Sequence, residues 1–241
     1  IRGEKRQVRI NLPAVYNIYN AAGAVCAARE MGIAPETAVS ALAAFRCGFG
    51  RMETFPLGGK GARMLLVKNP AGCSLVMDFL AGLGEEMDLA LLLNDNGADG
   101  TDVSWIWDAD FERLASLGDR LHSVTVSGIR AADLRVRLKY AGVAEEKISL
   151  ERDYDALCER LSHSERPVFI VPTYTAMLDM RAALVRRMGE MRDVLLELNA
   201  HVLRADRSTE ETLDRAWRTL RMRRILVRHG EGYAVMPGNR E

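Results

Sequence analysis

Between residues 63 and 188, short β-like runs and helix-length stretches alternate, and this alternation restricts the chain to few folds. The β-like runs fall at 63–68, 88–94, 121–127, 147–151 and 167–171, and the helical stretches at 73–83, 108–117, 130–141, 154–162 and 176–188. Strands separated by helices of about ten residues cannot pair as hairpins; they join through right-handed βαβ crossovers into a mostly parallel, doubly wound α/β sheet. In such a sheet the loops leaving the carboxyl ends of the strands collect on one edge, where ligands bind.

One of those loops is unusual. The apolar run at 89–93 passes directly into Asn94-Asp95-Asn96-Gly97-Ala98-Asp99-Gly100-Thr101-Asp102-Val103-Ser104-Trp105-Ile106-Trp107-Asp108-Ala109-Asp110, which holds five carboxylates, two glycines and two tryptophans. A buried strand followed by an acidic, glycine-containing turn makes the segment a site candidate. As a calcium loop it is disfavoured, because Gly97 and Ile106 replace two ligand positions that the motif requires; a magnesium site or a helix N-cap by Asp108 fits better. Asp108 and Asp110 fit the first turn of a helix, with Asp108 as its cap. Trp105 and Trp107 are core or interface side chains.

The flanks differ from the middle. Residues 1–47 hold a possible strand at 7–12 and two alanine-rich helical stretches, 21–31 and 35–45, which read as the end of a preceding domain. Residues 48–188 form the α/β domain. Residues 189–241 read as a helical accessory tail: helices at 191–203 and 209–221, the second opened by a Ser208–Glu211 capping box, then a hairpin of 224–228 with 233–236. The tail's arginines lack interleaved aromatic residues, so a solvated face or a partner contact is favoured over nucleic acid.

Composition narrows the function classes. The chain's 241 residues are 48% hydrophobic with zero formal net charge, which gives no electrostatic argument for nucleic acid or an anionic membrane surface. Four well-separated cysteines without a C-x-x-C pair disfavour a zinc ribbon and a disulfide framework, and suggest reduced, cytoplasmic thiols. No apolar run approaches the ~20 residues that span a bilayer. The four histidines form no metal-ligand spacing, so no metal site is expected.

Three further positions have chemistry to offer. Arg51 follows a glycine turn in Gly50-Arg51-Met52-Glu53, and would either bind phosphate or a base or pair with Glu53. Lys68 precedes Asn69-Pro70-Ala71-Gly72, a strand-to-helix turn that could hold an anion at the helix N-terminus. Asn17 and Asn20, three apart, share one helix face and would cap that helix or contact an adenine.

Together these segments resemble a known family. Asn17-x-x-Asn20, Gly50-Arg51-x-Glu53, Lys68-Asn69-Pro70-Ala71-Gly72, the acidic tryptophan block with Phe111-Glu112, Ser127-Gly128-x-Arg130-Ala131 and Arg137-Leu138-Lys139-Tyr140 occur in one order. From about residue 8 to 187 the chain resembles MurT, the Mur-ligase-like subunit of glutamine-hydrolysing lipid II isoglutaminyl synthases. The resemblance implies a Mur ligase C-terminal, Rossmann-like fold. It also implies a role in a carbon-nitrogen ligase of peptidoglycan synthesis, in which ATP with Mg2+ activates the α-carboxylate of D-glutamate in lipid II. Ammonia then comes from a partner, a GatD-like glutaminase that supplies a cysteine nucleophile and a histidine.

By position, Asp102 matches the candidate catalytic carboxylate that completes the partner's Cys-His pair. Asn20, Arg51 and Lys68 match positions near the nucleotide, and Asp99, Trp105 and Trp107 become interface candidates. The enzyme would be cytoplasmic and act at the inner face of the membrane.

The chain also departs from the family. It has no G-x-x-x-x-G-K-[ST] loop, since Gly58-Gly59-Lys60-Gly61 has the wrong spacing, and no four-cysteine zinc ribbon. Under the resemblance both lie upstream of Ile1, and the piece would bind ATP weakly if at all. Leu65 stands where many Mur ligases have an acidic residue. Two other readings remain open: a non-catalytic nucleotide-binding or regulatory α/β module, and an ordinary Mur-type amino-acid ligase, which would not need the acidic block.

Overall fold

The computed structural model describes residues 7–10, 16–45, 51–202, 226–229 and 232–235. Two compact units divide the chain, residues 1–53 and 54–241. In the first, helices α1 (Tyr16–Glu30) and α2 (Pro35–Ala44) occur where the alanine-rich stretches predict them. Gly32, at φ +77°, turns the chain between them in a conformation that L side chains rarely adopt. The strand expected at 7–12 is not found: 7–10 are irregular, and 11–12 lie outside the described residues.

The second unit is organised by a six-stranded sheet. Its strands are β1 (Arg51–Phe55), β2 (Ala62–Leu65), β3 (Met87–Leu92), β4 (Leu121–Ser127), β5 (Ile148–Leu150) and β6 (Val168–Pro172), in the order β1-β2-β6-β3-β4-β5. The pairs β2/β6, β6/β3, β3/β4 and β4/β5 are all parallel. Between these strands run α3 (Pro70–Gly82), α4 (Glu112–Ala115), α5 (Ala131–Tyr140) and α6 (Tyr154–Ser162), and α7 (Tyr174–Val202) follows β6. β3 is buried at all six positions, as a central parallel strand covered on both faces must be.

Helices cover both faces of the sheet. On one, Leu157 and Leu161 of α6 and Met177, Met180 and Leu184 of α7 pack on Met64, Ala90, Leu92 and Ile170. On the other, Phe79 of α3 meets Phe169 of β6 edge to face, ring centroids 6.5 Å apart. Each fully buried leucine or methionine contributes about 1.5–3 kcal/mol.

Three expectations are corrected here. The helix expected to break near residue 189 is continuous from Tyr174 to Val202: Gly189 costs a helix interior only about 1 kcal/mol, and no proline interrupts it. The helix expected at 108–117 is a single α-turn, Glu112–Ala115, with a short 3-10 turn at Ser104–Trp107 before it. Asp108 therefore closes the 3-10 turn and caps no helix, and Phe111 stands at the N-cap of α4.

Beyond α7, β7 (Leu226–His229) and β8 (Gly232–Val235) form an antiparallel pair in the register Leu226 with Val235 and His229 with Gly232. The helix expected at 209–221 lies outside the described residues. No helix among the described residues is long and apolar enough to cross a membrane.

Candidate functional site at the carboxyl edge of the sheet

The loops after β3, β4 and β6 meet at the carboxyl edge through Asn94. Its backbone amide donates to Thr173 Oγ1 (3.0 Å), its Nδ2 to Thr175 Oγ1 (2.9 Å), and its Oδ1 accepts from the amide of Ile129 (2.9 Å). The approach is close because residue 128 is glycine: at φ +87°, a Cβ there would lie 2.5 Å from the Leu93 carbonyl oxygen. One buried asparagine thus fixes where the acidic loop begins.

The next carboxylate is part of the same anchor. Asp99 accepts hydrogen bonds from the amide of Thr175 (2.8 Å) and from its hydroxyl, and is buried at the N-terminus of α7. An anion there is stabilised by the helix's unpaired amides and dipole. Asp99, an interface candidate by resemblance, has its oxygens turned inward and bonded, because the first turn of α7 needs an acceptor. Asp95, in contrast, lies 3.6 Å from Arg130 Nη1.

Gly100, at φ +91°, then turns the chain outward, and Asp102 is exposed. Its Oδ1 accepts from the Ser104 amide at 2.8 Å. Bonds from the Ser104 side chain and amide hold its carboxyl below the usual carboxylate range. The arrangement is a charged carboxylate with one oxygen tied to its own loop and the group open to solvent. It can accept a proton donor from outside the chain.

After Asp102 the segment Ser104–Trp107 coils once, burying Ile106. Trp105 is half-buried and borders a small apolar recess with Val67, Cys73, Phe111 and Leu134. Trp107 is 51% exposed and packs edge to face on Tyr140, itself 76% exposed, at 5.6 Å. Two aromatic side chains therefore stand on the surface beside the Asp102 loop.

In the sequence Arg137 is only one residue of the Arg137-Leu138-Lys139-Tyr140 motif. It is buried on the stripe of α5 that carries Ala131, Leu134 and Leu138. Its Nε donates to the Ile106 carbonyl (3.0 Å) and its Nη2 to the Ala109 carbonyl (2.9 Å) and both Glu112 oxygens (2.8 Å). Its guanidinium carbon lies 5.5 Å from the Trp107 ring centroid and 5.4 Å from that of Phe111. An arginine in phase with an apolar helix stripe was the available signal.

Asn20 is an exposed residue of α1 whose Nδ2 donates to Asn17 Oδ1 (3.4 Å), and Arg51 opens β1. Lys68 is exposed ahead of α3. The anion cradle expected after Lys68 is largely filled by the protein itself. Pro70 has no N–H, Asn69 Oδ1 accepts from the Gly72 amide (2.8 Å), and the Asn69 carbonyl accepts from the Cys73 amide (3.0 Å). Gly58-Gly59-Lys60-Gly61 is no cradle either, since the Gly59 amide donates to the Ser164 carbonyl at 2.7 Å.

The parallel sheet wound on both faces has the fold of the C-terminal α/β domain of Mur-type ligases. MurC (UDP-N-acetylmuramate-alanine ligase) of Thermotoga maritima matches with a TM-score of 0.56 at 14% identity, over 78% of this chain and 41% of that one. Mycobacterium tuberculosis folylpolyglutamate synthase, solved in complex with ADP, matches with a TM-score of 0.52 at 16% identity, over 73% and 42%. Residues 66–177 match the family described as MurT ligase C-terminal.

The chain is similar to two proteins named lipid II isoglutaminyl synthase (glutamine-hydrolyzing) subunit MurT. That of Streptococcus pneumoniae is 35% identical over 179 residues, 74% of this chain and 40% of the relative. That of Staphylococcus aureus is 37% identical over 187 residues, 77% and 41%. The chain thus spans about two fifths of the length of the curated relatives it matches.

Proposed function

We propose that the chain is the C-terminal part of the ATP-dependent subunit of a glutamine-hydrolysing lipid II isoglutaminyl synthase. The enzyme would amidate the D-glutamate α-carboxylate of the peptidoglycan stem peptide, using ammonia from a partner glutaminase of the GatD kind. The observation that carries the reading is Asp102: a charged carboxylate exposed at the carboxyl edge, oriented by Ser104, within the residues that match the MurT ligase C-terminal family.

In this reading Asp102 accepts the Nδ1–H of the partner's histidine. That contact selects the tautomer whose Nε2 can take the proton of the partner's cysteine, and the carboxylate stabilises the imidazolium that results. The thiolate attacks the glutamine carboxamide carbon and forms a tetrahedral adduct. The imidazolium returns its proton to the departing nitrogen, which leaves as ammonia, and water then hydrolyses the glutamyl thioester. No proton resides on Asp102 at any step, and its lowered pKa suits an acceptor that must stay charged.

ATP and Mg2+ belong to the proposal, but the residues described around Lys68 do not fit a nucleotide. The α3 amides at Gly72 and Cys73 are already bonded, and the glycines before Lys60 pack on Ser164. In this reading nucleotide chemistry belongs to the part of the relatives' length that this chain does not span.

The test is Asp102→Asn in the intact subunit assembled with its glutaminase. The variant should lose amidation from glutamine while retaining amidation from free ammonium. Equal loss with both nitrogen sources would remove Asp102 from the glutaminase.

A further inference from the structure

We propose that Arg137 is a positioning residue that sets the shape of the segment after Asp102 and through it the direction in which Asp102 is presented. The inference rests on the reading of Asp102 above. The links are continuous. Arg137 Nε holds the Ile106 carbonyl, the Ile106 amide donates to the Val103 carbonyl (3.1 Å) to close the 3-10 turn, and the Ser104 amide at the start of that turn donates to Asp102 Oδ1. Downstream, the same guanidinium holds the Ala109 carbonyl and the Glu112 carboxylate, so both ends of the segment 106–112 are tied to one side chain of α5.

The choice of arginine is informative. The position lies on the buried stripe of α5, where a leucine or methionine would fill the space without the desolvation cost of a charge. A guanidinium, by contrast, can bond two carbonyls and a carboxylate in one plane while its faces pack against Trp107 and Phe111. The segment 106–112 thereby acquires one arrangement. A lysine keeps the charge but not the fork, so it separates packing from geometry.

Arg137→Lys and Arg137→Met are compared with Asp102→Asn in the intact subunit with its glutaminase, and amide hydrogen exchange is followed on this chain. With hydrogen bonds from a charged donor worth roughly 1.5–3 kcal/mol, exchange at 104–112 should quicken by about tenfold or more in Arg137→Lys. Amides of β3 and β6 should be unchanged, which also shows that the variant is folded. Glutamine-driven amidation should fall about tenfold while ammonium-driven amidation stays within about twofold, a split that general loss of structure would not give.

Unchanged exchange at 104–112 in both variants overturns the proposal and leaves Asp102 to stand on its own variant. Faster exchange with the glutamine-driven rate intact, where Asp102→Asn abolishes it, also overturns the positioning role. A fully active Asp102→Asn overturns the reading of Asp102, and the positioning role with it.

Discussion

Replacing Gly128 by alanine is the sharpest local test of how the carboxyl edge is assembled. The new methyl would lie 2.5 Å from the Leu93 carbonyl oxygen and 2.7 Å from Asn94 Oδ1, at φ +87°. Both oxygens already accept hydrogen bonds, from the amides of Arg130 and Ile129 at 2.9 Å each, so neither can retreat without lengthening one. The left-handed conformation costs an alanine about 1–2 kcal/mol, two weakened hydrogen bonds about 1 kcal/mol each, and the stiffer unfolded chain returns about 0.4–1 kcal/mol. The balance is a destabilisation of about 3 kcal/mol. With a urea m-value of about 2 kcal/mol/M, the midpoint should fall by about 1.5 M, read by tryptophan fluorescence and far-UV circular dichroism. Gly97→Ala, in the acidic loop after β3 and with nothing within 4 Å of the added methyl, should stay within about 0.5 kcal/mol of the parent. A Gly128→Ala chain that unfolds with the parent would refute the crowding argument.

Two further outcomes follow from the core and from the amino edge of the sheet. Asp88 accepts bonds from His122 Nδ1 (2.8 Å), Ser123 Oγ (2.6 Å) and Ser164 Oγ; burial pushes its pKa up, but the three bonds outweigh burial and hold it below the ordinary 3.8. A depressed carboxylate stabilises above its unfolded pKa and stops doing so as pH falls through the folded value. Melting temperature should therefore drop steeply below pH 4, and less steeply in Asp88→Asn; equal slopes would contradict the assignment. The thiols of Cys73 and Cys158 are pushed up to about 12 by burial, whereas Cys26 is exposed, so native alkylation at pH 8 followed by peptide mapping should mark Cys26 and spare the other two. Marking of Cys73 at the rate of Cys26 would contradict the packing of α3.

Much of this architecture was legible because hydrophobic burial writes a local pattern. β4 and α6 fall on the residues the runs predict, since each is bounded by polar turns and carries an uninterrupted buried face. The acidic loop was visible for the same reason: the apolar run at 89–93 ends β3 and then stops abruptly.

What escaped depends on contacts between segments far apart in the chain. Asp99 turns inward because Thr175, 76 residues later, offers a helix N-terminus, and no spacing around Asp99 encodes that. Arg137 serves carbonyls 28 and 31 residues earlier. Asp108 carries the residue type of a cap, but the 3-10 turn of Ser104–Trp107 had already claimed the position. The Gly72 amide, free by sequence, is capped by the Asn69 side chain.

The central claim is that Asp102 completes another protein's Cys-His pair, and glutamine hydrolysis by that glutaminase tests it most directly. With the intact subunit added, the rate of glutamate release is measured for wild type and for Asp102→Asn at matched complex formation. Losing the residue that orients a triad histidine lowers kcat by orders of magnitude in other triads, so a fall of roughly a hundredfold or more is expected, with binding of the two subunits retained. Glutamate release by the Asp102→Asn complex at the wild-type rate would contradict the account.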